Sequence, residues 1–247
     1  VNLHPLNDRQ VANLIIDIGN TALKAAWADG MTLGKIFRYQ GERIMEFIMS
    51  LMEKEKPETI ILSSIRKFTG NNVSILENSC GRLIVVDESI CRKYGIPSYM
   101  TPDRVASIVA ARYLFRNRGC TIIDMGTMIT TDYIDQEGNY CGGYISPGCV
   151  TRFKSVNRYS KQYPLLDIPE STDEKGMSLA SSIESGIISG IMFELQGRIC
   201  QNHENIIVFT GGDANYFAKR MKNSIFVVCN LVLIGLALIA LEYDKDN

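Results

Sequence analysis

A chain of 247 residues that is 46% apolar has the length for one large domain or two lobes of roughly 100–150 residues, and ample apolar content for a core. Its net charge of -1 gives no electrostatic case for nucleic acid or an anionic membrane as a partner. Seven scattered cysteines, with no Cys-x-x-Cys pair or zinc-ligand spacing, read as reduced, mostly buried thiols of a cytoplasmic protein; two histidines, His4 and His203, argue against a histidine triad or multi-histidine metal site.

The start of the chain is polar and shows no signal-peptide pattern. Asn13 to Asp17 is the first predicted strand, and Ala22 to Ala28 and Thr32 to Tyr39 follow, joined by a turn at Asp29-Gly30. Glu42 to Glu55 has helical periodicity through Ile44, Phe47, Ile48 and Leu51. Thr59 to Ser64 and Leu83 to Val86 are strands. Tyr94 to Arg104 is a loop with two prolines and two tyrosines that runs into a helix ending near Phe115. Thr101 suits the N-cap of that helix and Pro102 its first position, with Val105, Ile108 and Val109 facing inward. Asp103 then lies in the first turn, either as a carboxylate that complements the helix dipole or as a site residue with Arg104 beside it to bind a substrate carboxylate.

Thr121 to Asp124 opens the second half, and Met128 to Ile134 and Tyr140 to Ile145 form its hairpin. Gly142 to Gly148 reads as a sharp turn before a helix from about Val150. Residues Tyr163 to Lys175 look like an exposed connection. Ser178 to Cys200 is a long helix in which Gly186 and Gly190 point to close helix or backbone packing. Ile206 to Phe209 is a strand ending in Thr210-Gly211-Gly212-Asp213-Ala214, a glycine turn able to lie flat against an adenine or ribose and leading into a helix to about Met221. Ile225 to Leu241 nears membrane-spanning length, but Asn230 interrupts it; a buried strand, a turn and a buried helix describe it better.

One pattern occurs twice. Ile15-Ile16-Asp17-Ile18-Gly19-Asn20-Thr21 returns as Ile122-Ile123-Asp124-Met125-Gly126-Thr127-Met128, each at the end of an apolar run and before a β-rich segment. The glycine permits a tight turn and close approach by a ligand. Short polar side chains can hydrogen-bond phosphate oxygens while the aspartate meets a metal or its water. Two such turns, one in each half, suggest a duplicated fold that holds the phosphate tail of a nucleotide.

In order and spacing these motifs resemble the type III pantothenate kinases of the acetate and sugar kinase/Hsc70/actin superfamily, from about Asn13 to Leu236. Asp17 to Lys24 is similar to the family's first phosphate motif, Asp124 to Asp132 to its second, and Thr210 to Gly212 to its adenosine motif. Tyr94, Asp103-Arg104 and Ser146-Pro147-Gly148 match its pantothenate-side and turn motifs. The resemblance implies an α/β duplicated ribonuclease-H-like (actin-like) fold, with two lobes (residues 1–117 and 118–247) that each carry a mixed sheet flanked by helices. It implies transfer of the γ-phosphoryl group of ATP to the 4'-hydroxyl of pantothenate, the first step of coenzyme A synthesis. Asp17, Ile18, Gly19, Asn20, Thr21, Ala22, Leu23 and Lys24 would then bind the ATP phosphates, with Asp17 meeting Mg²⁺ through water and Thr127 also on ATP. Asp124 would hold a monovalent cation, K⁺ or NH₄⁺. Tyr94, Thr101, Pro102, Asp103 and Arg104 would bind pantothenate, with Asp103 as proton acceptor. A homodimer is implied as well.

The chain departs from the family pattern in three places. Thr101-Pro102 replaces the usual Gly-x before Asp-Arg, which removes a backbone donor. Met128 stands where alanine is usual. Leu179, with Ser178 beside it, stands where the family often has a threonine that reaches pantothenate from the neighbouring subunit. The alternatives are a kinase of another small substrate, against which the Tyr94 to Arg104 loop argues, and a transcription accessory regulator of the same fold. Retention of Asp17, Lys24, Asp103 and Asp124 favours the enzyme.

Overall fold

The computed structural model describes residues 12–66 and 68–245, so His4 lies outside the described residues. The first sheet has strand order β3-β2-β1-β4-β5, from β1 (Asn13–Ile18), β2 (Leu23–Asp29), β3 (Thr32–Tyr39), β4 (Thr59–Ser64) and β5 (Arg82–Val85). The second repeats the wiring as β10-β9-β6-β7-β8, from β6 (Cys120–Met125), β7 (Met128–Ile134), β8 (Tyr140–Pro147), β9 (Ile206–Thr210) and β10 (Ile225–Val227). In each, three antiparallel strands are followed by two parallel ones. Central β1 is buried along its whole length, as expected of a strand covered on both faces.

Alternation along these strands sets what each face does. Leu14, Ile16 and Ile18 enter a core with Ile60, Leu62, Ile48 of α1 (Ile44–Leu51) and Leu76 of α2 (Gly70–Ser79). Asp17 therefore belongs to the opposite face of the strand. In the second sheet Ile123 and Met125 enter the core with Phe153 of α5 (Cys149–Tyr159), Ile191 and Leu195 of α6 (Leu179–Gln201) and Phe217 of α7 (Ala214–Ala218). Asp124 has the same relation to that core as Asp17 has to the first. Each fully buried Ile, Leu or Phe contributes about 1.5–3 kcal/mol.

One compact unit runs to Leu114 and resumes at Asn230; the other is Phe115–Cys229. The last helix, α8 (Leu231–Lys245), groups with the first unit instead of the second. It packs on α4 (Pro102–Leu114), and Gly235 explains how: a Cβ there would lie 1.8 Å from the carbonyl oxygen of Ala106. Among the described residues no helix is long and apolar enough to cross a membrane.

Several local expectations change. The helix expected over 42–55 contracts to α1, bounded by Arg43 and Met52. Gly142 to Pro147 is edge strand, not a turn, and only Gly148 breaks it before α5. Around Gly186 and Gly190 nothing lies within 4 Å of where a Cβ would stand, so neither glycine is required by close packing within the chain. The helix after the second glycine turn ends at Ala218, short of Met221.

Candidate active site

In the first unit, four residues, 19–22, separate the paired residues Ile18 and Leu23, and Gly19 N–H donates to the carbonyl of Ala22 at 3.1 Å. Asn20 and Thr21 are exposed, whereas Asp17 is 9% exposed. Lys24 is the antiparallel register partner of Asp17, and Ser63 its parallel one. Buried Ser63 donates its hydroxyl to Asp17 Oδ1 at 2.9 Å, which fixes the carboxylate at the strand end. Arg66 donates to the carbonyl of Asn20 at 2.5 Å. Neither residue is singled out by the sequence motif, although the Ser63-Ser64 pair at a strand end is a signal for polar atoms meeting Asp17.

The Asp103 region is built on α4. Pro102 occupies its first position, and Val105 N–H donates to the Thr101 carbonyl at 3.1 Å, as expected of an N-terminal turn starting at Thr101. Thr101 is exposed, and Pro102 and Asp103 are half-buried. The Asp103 carboxylate accepts from Arg104 N–H through Oδ1 at 3.0 Å, leaving Oδ2 for a second donor. Arg104 is only 6% exposed and begins a run of buried residues to Ala111. Tyr94 follows α3 (Glu88–Lys93), whose N-terminus is capped by Asp87. The Ser89 hydroxyl, with backbone N–H groups of Ser89 and Ile90, holds the Asp87 carboxyl below its ordinary range. The Tyr94 hydroxyl donates to Glu242 of α8 at 2.5 Å, and its carbonyl accepts from Arg112 at 2.7 Å. The C-terminal helix thus helps fix a predicted substrate residue, a relation invisible in the local sequence.

In the second unit only residues 126–128 separate the paired residues Met125 and Ile129. Gly126 N–H donates to Met128 O at 3.0 Å, and the Thr127 carbonyl accepts from Gly148 N–H at 3.0 Å and from the Thr151 hydroxyl at 2.6 Å. Met128 begins β7 opposite Pro147 and is 36% exposed. Thr210 is the parallel register partner of Asp124. Gly211 then turns with φ +92°, and a Cβ there would stand 2.5 Å from Asp124 Oδ1 and from Met125 O. The glycine turn therefore folds directly against the second aspartate, and Asp213 N–H donates to Met125 O at 3.1 Å. Burial raises the Asp213 carboxyl above its ordinary value. Burial first, and Asp213 second, push the Cys149 thiol up to about 12, so it is a neutral thiol and no nucleophile.

At the start of α6 the two candidates separate. Leu179 is 52% exposed and apolar, so it cannot hydrogen-bond as a threonine would. Ser178 is committed locally: its hydroxyl accepts from Ser181 N–H at 3.1 Å in a capping box.

The repeated sheet, with an aspartate hairpin on the first strand of each half, defines a duplicated actin-like, sugar-kinase-like fold. Two solved structures share it. One, from Campylobacter jejuni and named for the Baf family of transcriptional activators, has a TM-score of 0.65 at 20% identity and covers 95% of this chain and 99% of its own. The other is the activator of the 2-hydroxyisocaproyl-CoA dehydratase from Clostridium difficile with bound ADPNP, with a TM-score of 0.59 at 16% identity over 95% and 96% of the two chains. The sequence narrows this class. Residues 13–201 match the family described as type III pantothenate kinase. The type III pantothenate kinase of Flavobacterium johnsoniae is 32% identical over 242 residues, 95% of this chain and 99% of that protein. The chain belongs to the type III pantothenate kinase family.

Proposed function

We propose that this chain transfers the γ-phosphoryl group of ATP to the 4'-hydroxyl of pantothenate, with Asp103 as proton acceptor. The observation that carries the reading is family membership over nearly the full chain together with the retained acids, Asp17 and Asp103 in one unit and Asp124 in the other. Phosphoryl transfer needs positioning and charge neutralisation more than covalent chemistry. Asp103 suits its role because Arg104 N–H orients one oxygen and leaves the other for the attacking hydroxyl. Asp17 to Lys24 bind the phosphates, Thr127 contacts ATP, and Tyr94, Thr101, Pro102, Asp103 and Arg104 bind pantothenate. Leu179 gives that site an apolar contact at most.

The donor atoms fit hard cations. Asp17 and Asp124 offer carboxylate oxygens, the ligands preferred by Mg²⁺ and by a monovalent cation such as K⁺ or NH₄⁺. Gly211, which lacks a Cβ beside Asp124 Oδ1, keeps the backbone close to that carboxylate. Among the described residues no group of three His, Cys, Asp or Glu side chains is placed to hold a metal ion. Mg²⁺ carried by the nucleotide phosphates and water would meet Asp17 through its hydration shell. Mg²⁺ would neutralise phosphate charge as the γ-phosphoryl group moves.

A cytoplasmic homodimer completes the proposal. Free thiols at all seven cysteines fit a reducing compartment. Phe193 and Leu179 on α6 and Ile145 on β8 are 75%, 52% and 57% exposed, which supplies apolar surface for a second copy. Light scattering should give twice the 27.6 kDa chain mass; a monomer at micromolar concentration would contradict it.

Activity is tested by ADP release with ATP, Mg²⁺, pantothenate and either K⁺ or Na⁺, beside Asp103→Asn. Pantothenate-dependent turnover that needs K⁺ and falls about 10²–10⁴-fold in the variant is expected. Turnover that survives in the variant removes Asp103 as base. A folded protein inactive with every cation favours a regulator over a kinase.

A further inference from the structure

We infer that Arg152 and Glu194 are positioning residues for the Thr127 turn, acting through Ser146-Pro147-Gly148. The inference rests on the reading that Thr127 meets ATP. Glu194 leaves α6 toward β8 and α5. Its Oε1 accepts from the Ser146 hydroxyl at 2.6 Å, and its Oε2 pairs with the Arg152 guanidinium. Arg152 donates through Nε to the Pro147 carbonyl at 2.9 Å, and its Nη2 lies 3.4 Å from Ser146 Oγ. The pair thus grips the side chain of Ser146 and the backbone of Pro147. Gly148, the next residue, donates to the Thr127 carbonyl, and Thr151 adds the second bond to the same oxygen. The approach is so close that a Cβ on Gly148 would lie 2.0 Å from Gly126 O and 2.8 Å from Thr127 O.

This arrangement gives the Ser-Pro-Gly turn a physical purpose. It is the rigid connector between an ion pair on two helices and the backbone of the second phosphate turn. Side-chain exposures of 23% and 21% leave the pair less screened than a surface pair, and losing either member leaves the other charge without its partner. Proline contributes because its carbonyl is held on a backbone of fixed φ. The Thr127 hydroxyl, the predicted ATP contact, is thereby presented from a backbone held at its carbonyl by two donors. Neither Arg152 nor Glu194 is assigned a contact with ATP, so both act through the turn.

The test measures the ATP dissociation constant by calorimetry, the KM values for ATP and pantothenate, and thermal stability. The variants are Glu194→Gln, Arg152→Gln, the two combined, and Thr151→Val. Thr151→Val removes one donor to Thr127 without touching the ion pair, so it keeps the test open if charge removal prevents folding. Glu194→Gln and Thr151→Val should each weaken ATP binding about tenfold while leaving KM for pantothenate within about twofold. The double variant should be no worse than the weaker single one, because the two side chains act as a unit. A merely structural role would move thermal stability and leave both KM values unchanged. Unchanged ATP affinity in folded variants overturns this inference alone. A wild-type protein that binds ATP without phosphorylating pantothenate overturns the proposed activity, while the ATP affinities still decide this inference. Absence of ATP binding by the wild type overturns both.

Discussion

Asp17 and Asp124 both end a buried central strand, yet the turns that follow them are held differently. After Asp17 four residues close the hairpin, and the side chain is fixed from the neighbouring parallel strand by Ser63. After Asp124 three residues suffice, and the constraint comes from backbone: Gly211 folds over the carboxylate while Gly148 holds Thr127. Both turns expose their tips, Asn20 and Thr21 in the first and Thr127 and Met128 in the second; the first is held by Arg66 on the Asn20 carbonyl, the second by the turns that carry Gly148 and Gly211. A duplicated motif is thus held by side chains, Ser63 and Arg66, in one unit and largely by backbone in the other.

The largest expected effect comes from a methyl group on the glycine that lies nearest each aspartate, Gly211 beside Asp124 and Gly19 after Asp17. Gly211→Ala places a Cβ against Asp124 Oδ1 and Met125 O at a φ of +92°, and should cost about 3 kcal/mol or more. Gly19→Ala meets only Ala22 O at 3.4 Å and should change stability by less than about 1 kcal/mol. Denaturant unfolding of the two variants checks this; equal losses would mean that the backbone near the two aspartates is equally confined. On the proposed phosphate role of this turn, Gly19→Ala should still weaken ATP binding, because a Cβ would stand where a ligand approaches the backbone.

A smaller effect sharpens the same contrast. Ser63→Ala removes the buried donor to Asp17 and should lower stability by about 1.5–3 kcal/mol, the range for a hydrogen bond to a charged group. It should also raise KM for ATP, because Asp17 loses its fixed orientation. Wild-type KM in a less stable variant would separate the fold from the site.

Much of this was legible because short-range pattern and long-range structure agree. Strands β3, β4 and β7 follow β-branched and alternating runs, and their ends match to the residue. Helix α2 has no such signal: of its ten residues only Leu76 is buried. Helix α3 is too short for periodicity, and its one local mark is the Asp87 cap. The glycines of β8 suggested a turn, but an edge strand tolerates glycine and only Gly142 there has positive φ. The return of α8 to the first unit depends on Gly235 meeting Ala106, a tertiary contact between residues far apart in sequence. For the site, the repeated pattern singles out Asp17 and Asp124, whereas Asp103 is singled out by the family resemblance. The groups that meet the two aspartates, Ser63 at Asp17 and Gly211 at Asp124, come from other elements and are set by strand register.

Transfer of the γ-phosphoryl group to pantothenate can be followed at the phosphorus atoms themselves. Phosphorus NMR of the protein with ATP, Mg²⁺, K⁺ and pantothenate should show the γ-phosphate signal replaced by that of a phosphate monoester on the pantothenate 4'-oxygen, with one ADP per ester. ATP left intact, or converted to ADP and inorganic phosphate with no ester formed, would contradict the assignment.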